Sequence, residues 1–208
     1  MLLRIVIAAL VSYFLGNHNG AICVSLMMGD DVRTHGSGNA GLTNFIRSYG
    51  TGRALLVVAI DAGKAVLACT ISGLLLLQPY DLALQGETLG GLFVMLGHIY
   101  PALQGFRGGK GILSGWFVAW CIDFRIGVLI GVVFFVVYLL TKYVSLGSVL
   151  AAAAFGVGFA VFHHNDLWVC LGGVLMSALC LFAHRGNILR LLKGQERKTD
   201  LFSKGKSK

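Results

Sequence analysis

Long apolar runs separated by short polar loops constrain the fold of this chain most strongly. Hydrophobic residues make up 56% of its 208 residues and charged residues only 12%, whereas a soluble domain is about one-quarter charged. Backbone inside a bilayer must satisfy its own hydrogen bonds, which restricts spanning structures to helices and closed barrels. The apolar runs are continuous, whereas barrel strands alternate. We therefore predict an all-α membrane protein.

The apolar runs predict about seven transmembrane helices, some of them short. We place these near residues 3–28, 53–78, 88–100, 111–123, 126–141, 145–162 and 167–183. The third and fourth are shorter than the ~20 residues of a perpendicular span. They also fit half-helices that enter and leave by one face, which would leave five full spans. Residues 1–192 then form a single polytopic domain, followed by a basic tail, 193–208, that we expect to be disordered.

Basic residues gather on one side of the seven-span arrangement. Loops 29–53, 101–110 and 141–144, together with the segment after residue 183, hold 14 of the 17 Lys and Arg residues. The positive-inside rule places this side in the cytoplasm and the N-terminus outside. The formal net charge of +8 is then explained by contact with anionic membrane lipids. We expect no nucleic-acid partner.

Two loops on the basic side combine glycine with a strong cation. The first covers residues 36–47 and ends on Arg47, and the second covers residues 105–111 and contains Lys110. Glycine lets backbone N–H groups approach an oxyanion, and Arg or Lys supplies the countercharge. A helix that begins near Ala40, capped by Asn39, would add its N-terminus to the first loop. The two loops predict phosphate chemistry on a substrate with an apolar part.

The second loop is not an ATP-binding P-loop, because Gly111 follows Lys110 where that motif needs Ser or Thr.

Two further polar motifs lie on the same side. Ser145 and Ser148 stand at the start of the sixth run, where either could cap the helix or its free N–H groups could meet an anion. His184 and Asn187 are three residues apart and can face one ligand if the helix continues.

A small group of polar residues falls inside the apolar runs. Asp61 and Lys64 share one helix face at i, i+3 spacing, and we interpret them as a structural ion pair. His98 is equally consistent with a role in the site and with a structural hydrogen bond at the membrane interface. The polar stretch 17–20 interrupts the first run, and we have no account of it beyond lining the same cavity.

The sequence offers little for other kinds of chemistry. The five cysteines form no CxxC pair and lie in or beside apolar runs, so we interpret them as buried hydrophobes without disulfides. We expect no metal and no cofactor. No Ser-His-Asp set is evident and no His is followed five residues later by Asp, which argues against the acyltransferase class that uses the latter pair.

Taken together, these motifs resemble the bacterial acyl-phosphate:glycerol-3-phosphate acyltransferase family. The motifs occur in family order and cover nearly the whole chain. They are residues 36–39 with Thr43, Asn44 and Arg47; Asp61 with Lys64; and residues 97–101, 106–111, 144–148 and 184–188. Each motif is weak alone, whereas six in order are specific. Two departures from the family pattern are the stretch 16–19, where a Gly-Ser-Ile-Pro-like element is usual, and Ala65, where glycine is usual.

The resemblance implies a seven-helix inner-membrane enzyme with its site on the cytoplasmic side. Such enzymes move a fatty acyl group from acyl phosphate to the 1-hydroxyl of sn-glycerol 3-phosphate, giving lysophosphatidic acid and phosphate. By the family pattern, the residues that hold glycerol 3-phosphate are Ser37, Arg47, Lys110, His184 and Asn187. The residues that contact acyl phosphate are Asn39, Thr43, Gly108, Gly109 and Gly111. Gly36, Gly38, Asn44 and Ser148 complete the candidate substrate-binding set. We expect a monomer.

Two other classes remain open from the sequence. A transporter or channel for an organic phosphate would need access from both faces and often has repeated halves, but we find no convincing repeat. A lipid-binding or scaffold protein without catalysis would not need two loops that pair glycine with a cation.

Overall fold

A computed structural model describes residues 1–77 and 80–199 of the chain. Within these ranges all regular secondary structure is helical, with no strand. The ten α-helices are α1 (Leu2–Asn17), α2 (Gly20–Met27), α3 (Leu42–Tyr49), α4 (Ala54–Leu77), α5 (Ala83–Ile99), α6 (Ile112–Ile122), α7 (Phe124–Thr141), α8 (Val144–Phe162), α9 (Leu167–Ala183) and α10 (Arg185–Leu192). Short 3-10 helices cover Val32–Thr34 and Ala102–Gln104. The all-α membrane class is confirmed.

Three helices are long and apolar enough to cross a membrane: Ala54–Leu76 within α4, and α7 and α8. Two bent pairs also pass when each is taken as one unit: α1 with α2, bent by 44°, and α9 with α10, bent by 58°. The described chain therefore has three to five candidate spans by length and composition, and α6 is a shorter apolar helix. The count of seven spans stays a prediction.

Helix α5 lies at the centre of the bundle and packs against α1, α4, α6 and α9. Its crossing with α1 is close because glycines meet there: a Cβ on Gly97 would lie 2.1 Å from the Tyr13 carbonyl oxygen. Small residues allow membrane helices to approach in this way. On the other side of α5, the main core is apolar, with Met95, Val118 and Phe159 fully buried.

Several predicted boundaries differ from the structure. The third run begins at Ala83 rather than 88, because α5 includes polar residues; the Gln85 amide donates to Asp166 at the start of α9. Helix α3 begins at Leu42 with Gly41 as its N-cap, so the predicted Asn39 cap is wrong. Helix α8 begins at Val144 with no side-chain cap, so neither Ser145 nor Ser148 is the N-cap residue.

The segment after α10 packs against the bundle as far as the structure describes it. The Thr199 amide donates to the Lys142 carbonyl oxygen at 3.0 Å, and Glu196 contacts α10 through Arg190 at 2.9 Å. Residues 200–208, which belong to the tail predicted to be disordered, lie outside the described residues. The division of the chain into residues 1–192 and 193–208 stays a prediction.

Candidate active site

Residues from the second glycine loop and from α10 meet at one end of the bundle. Lys110 lies immediately before α6, and its ammonium donates a hydrogen bond to the side-chain oxygen of Asn187 on α10. The two residues are far apart in sequence, and the fold brings them together because α9 bends sharply into α10 after His184. The predicted pairing of these two motifs in one place is thus observed.

Positive charge accumulates around Lys110. Burial, together with the nearby positive charges of Arg190 and Arg47, lowers the pKa of Lys110 to about 8, and the negative charge of Glu196 acts in the opposite direction. Lys110, Arg47 and Arg190 share the single carboxylate of Glu196, so the local charge is net positive. The charge balance therefore favours binding of a phosphate group here.

His184 occupies the bend between α9 and α10 and is buried. Its Nδ1 lies 2.8 Å from the carbonyl oxygen of Cys180. A carbonyl oxygen only accepts, so Nδ1 carries a proton, and in the neutral ring Nε2 is left as an acceptor. A neutral His184 can thus accept a hydrogen bond from a substrate hydroxyl.

Asn187 is held between Lys110 and the segment that follows α10. Its amide nitrogen lies 3.3 Å from both carboxylate oxygens of Glu196, and Glu196 also pairs with Arg190. Because the amide group donates to Glu196, its oxygen is directed at Lys110. Glu196 therefore sets the orientation of Asn187.

The first glycine loop is built around the side chain of Asn44. Its amide nitrogen donates to the carbonyl oxygens of Val32 and His35 at 3.1 and 3.0 Å, and its oxygen accepts from the Ser37 amide at 2.9 Å. Asn44 is 2% exposed. Both of its donor hydrogens are used within the loop, so its observed contacts hold the loop in shape. The Ser37 side chain itself is exposed.

The remaining candidates of the first loop lie on the same exposed segment. Gly36 and Gly38 are exposed, and Asn39 and Thr43 are half-buried. Arg47, on α3, donates to the Thr199 hydroxyl, and its charge reaches Lys110, whose pKa it helps to lower. Arg47 therefore connects the first loop to Lys110 and to the segment after α10.

The second glycine loop folds back on the end of α5. The amides of Gly108 and Gly109 donate to the carbonyl oxygens of Ile99 and His98 at 3.2 and 3.1 Å. A Cβ on Gly109 would lie 2.2 Å from His98 Nε2 and 2.7 Å from the Ala40 carbonyl oxygen. Only glycine fits between these atoms. Gly109 is thus where the two glycine loops touch. Gly111, also buried, ends the loop as the N-cap of α6.

Arg33 makes a second connection between the loops. Its guanidinium pairs with Asp31 at 2.8 Å and donates to the Gln104 carbonyl oxygen, also at 2.8 Å. The salt bridge lowers the pKa of Asp31, chiefly through the hydrogen bond from Arg33. This contact fixes residues 29–41 against residues 101–107.

Ser148 is less directly connected to the other candidates. It is buried on α8, which packs against α10. Its neighbour Ser145 has a buried hydroxyl with no hydrogen-bond partner in the part of the chain that the structure describes. No group of three or more His, Cys, Asp or Glu residues that could hold a metal occurs in residues 1–77 and 80–199.

Comparison with known proteins identifies the family. Residues 6–194 match the model of the glycerol-3-phosphate acyltransferase family. The glycerol-3-phosphate acyltransferase of Finegoldia magna is 36% identical over 197 residues, which cover 94% of this chain and 96% of the relative. That of Paraburkholderia xenovorans is 38% identical over 191 residues, covering 91% and 88%.

The chain belongs to the glycerol-3-phosphate acyltransferase family. The fold agrees: a crystal structure of PlsY (YgiH), an integral membrane glycerol 3-phosphate acyltransferase, in its glycerol 3-phosphate form, superposes with a TM-score of 0.84 at 28% identity. The superposition covers 96% of this chain and 99% of the PlsY chain. The lysophosphatidic acid form gives a TM-score of 0.81 at 28% identity, covering 95% and 96%. Membership favours an acyltransferase over the transporter and scaffold alternatives.

Two residues that shape the candidate site of this acyltransferase, Glu196 and Arg33, were not predicted from the sequence. Glu196 had a signal, because it is the only acidic residue between Asp166 and Asp200, in an otherwise basic segment. An isolated acid among cations is a candidate partner for one of them. Arg33 had no such signal, because the acceptor that connects it to the second loop, the Gln104 carbonyl oxygen, is a backbone atom that only the fold brings near.

Proposed function

We propose that this acyltransferase moves a fatty acyl group from acyl phosphate to the 1-hydroxyl of sn-glycerol 3-phosphate. The observation that carries the proposal is the contact between Lys110 and Asn187, surrounded by the charges of Arg47 and Arg190. Two anionic substrates need such a concentration of positive charge. The relatives' names and the glycerol 3-phosphate form of the PlsY structure support the acceptor.

The proposed roles follow the two loops. Lys110 and Arg47 neutralise the phosphate of glycerol 3-phosphate, and Ser37 and Asn187 are hydrogen-bonding groups for the same substrate. His184 Nε2 accepts a hydrogen bond from a hydroxyl of glycerol 3-phosphate. Asn39, Thr43 and the Gly108–Gly111 loop contact acyl phosphate. Ser148 completes the substrate-binding set. The protein acts as a monomer in the bacterial inner membrane, with this site on the cytoplasmic side and its N-terminus outside.

The transfer is direct. Acyl phosphate is a mixed anhydride with a good leaving group, so orientation of two bound anions supplies most of what the reaction needs. The glycerol 1-oxygen forms a bond to the acyl carbon, the bond between that carbon and the phosphate oxygen breaks, and the hydroxyl proton passes to the departing phosphate. In the described residues no His or carboxylate hydrogen-bonds the Ser37 hydroxyl, so Ser37 lacks the base that a nucleophile requires.

The test uses purified protein with a long-chain acyl phosphate and glycerol 3-phosphate. Lysophosphatidic acid and phosphate are expected in equal amounts, with no added metal or cofactor. Acyl-CoA and acyl carrier protein thioesters in place of acyl phosphate serve as controls and are expected to give no product. Product from a thioester alone would contradict the proposed donor, and no product from any donor would contradict the proposed reaction.

A further inference from the structure

A buried polar cluster lies directly beneath the two glycine loops. It consists of Asn19, Asp61, Lys64, His98 and Ser114, all between 0% and 4% exposed. Lys64 Nζ is 2.8 Å from Asp61 Oδ1 and 2.7 Å from His98 Nδ1. Its members are the N-cap residue of α2 and residues of α4, α5 and α6, so the cluster connects the elements that carry the loops.

The cluster accounts for the polar break between α1 and α2. The break frees backbone groups that a continuous helix would have paired internally. The Lys64 ammonium lies 3.2 Å from the His18 carbonyl oxygen, and Asp61 accepts from the Gly20 amide at 3.0 Å. Asn19 caps α2 and donates to the Ala40 carbonyl oxygen at 2.9 Å. Each charge of the ion pair therefore also satisfies a freed backbone group.

The contacts of Lys64 fix the state of the His98 ring. An ammonium group only donates, so His98 Nδ1 accepts from Lys64 and the neutral ring carries its proton on Nε2. The Ser114 hydroxyl, 3.3 Å from the same Nδ1, packs beside it. With one edge held by Lys64, the ring has a single orientation, and its opposite edge faces the second glycine loop.

That opposite edge lies against Gly109. The Gly109 amide donates to the carbonyl oxygen of His98, so the loop is held both by the backbone of residue 98 and by its ring. The next residue along the chain is Lys110, whose ammonium contacts Asn187. A shift of the ring would therefore move the backbone that carries Lys110.

We propose that His98 is a positioning residue, oriented by Lys64 and Asp61, which sets the place of the Gly108–Lys110 loop. This inference rests on the proposed function, because it assigns His98 an effect on the same site. His98 does not touch substrate; it acts through Gly109. Misplacement of a reacting group by about 1 Å can cost about 10²-fold in rate.

His98→Asn is the variant that isolates this effect. The Asn side-chain oxygen can still accept from Lys64, so the cluster keeps its hydrogen bonds, but the shorter side chain lacks the ring edge that meets Gly109. We expect kcat/KM to fall about 10²-fold, with the protein still folded by circular dichroism and gel filtration. His164→Asn, on an exposed histidine at the opposite end, is the matched control and should keep normal activity.

A double-mutant cycle with Gly109→Ala tests the contact itself. In the native background the added methyl meets His98 Nε2, so we expect a loss of about 10²-fold. In the His98→Asn background the clash with the ring is gone and only the close approach to the Ala40 carbonyl oxygen remains, so the same substitution should cost clearly less than in the native background. A merely structural role for His98 would not make the two effects depend on each other.

Three results would overturn the proposal: normal activity of His98→Asn, an equal cost of Gly109→Ala in both backgrounds, or loss of the folded state in His98→Asn, which would make the residue structural. The native protein is assayed in parallel with acyl phosphate. An inactive native protein would contradict the proposed function. An active native protein with an equally active His98→Asn variant would contradict only the positioning role of His98.

Discussion

At the scale of single residues, Lys110 is the cation that the other site residues surround. It lies half-buried in the second glycine loop, and Arg47 and Arg190 add positive charge nearby. Lys110→Ala removes a preorganised countercharge, which typically costs about 10²–10³-fold in rate. We expect that loss in kcat/KM, measured on purified protein whose thermal midpoint is unchanged. Activity within a few-fold of normal would remove Lys110 from the site.

The lowered pKa of Lys110 predicts that kcat/KM, which reports substrate capture by the free enzyme, falls at alkaline pH. The ammonium is protonated below its pKa of about 8 and neutral above it, so the free enzyme loses a countercharge as the pH rises through 8. We expect kcat/KM to fall above that pH, whereas the limit in kcat lies higher, because a bound anion raises the pKa of Lys110.

Lys110→Arg provides the control for this pH profile. A guanidinium stays protonated throughout the range from pH 7 to 10. The variant is expected to be slower, since Arg and Lys differ in geometry, but its residual kcat/KM should lack the fall near pH 8. The same alkaline limit in both proteins would assign that limit to another group.

At the scale of elements, the segment after α10 completes the site. Glu196 orients Asn187, and Thr199 contacts Arg47 and the Lys142 backbone. A chain that ends at Leu192 loses these contacts, and we expect it to lose most of its activity while its helices remain. A chain that ends at Phe202 keeps them and should retain activity. Equal activity of the two shortened chains would show that Glu196 and Thr199 are dispensable.

The elements also show what the sequence could and could not predict. Apolar runs predicted α6, α7, α8 and α9 within about two residues, because hydropathy alone decides where a chain enters lipid. They missed the first turn of α5, where Gln85 is polar but paired with Asp166. Propensity placed the start of α3 at Ala40, whereas the chain there stays extended to contact Asn19 and Gly109.

The site itself was predictable only in part. Residue types and spacing indicated two anion-binding loops, and the resemblance placed His184 and Asn187 with them. The contacts that shape the two loops, such as Asn44 with the Val32 carbonyl oxygen and His98 with Gly109, form only when the chain folds back on itself. Such contacts join side chains to backbone atoms, which leave no pattern in a single sequence.

At the scale of the whole molecule, we expect one membrane orientation. The basic loops and α10 meet at one end of the bundle, and the positive-inside rule places that end in the cytoplasm. Single cysteines at Thr34, Arg107 and Lys193, in a protein lacking its five native cysteines, should resist an impermeant thiol reagent on intact cells. A cysteine at His164 should react. Labelling of any of the first three from outside would contradict a single cytoplasmic site.

We propose that the acyl group passes directly between two anions held at one end of the bundle. The measurement is a rapid quench of purified protein with acyl-labelled acyl phosphate, with and without glycerol 3-phosphate, followed by analysis of the peptide that contains Ser37. We expect no protein-bound acyl group in either reaction, and labelled lysophosphatidic acid only when glycerol 3-phosphate is present. A stoichiometric acyl group on Ser37 that disappears when glycerol 3-phosphate is added would contradict it.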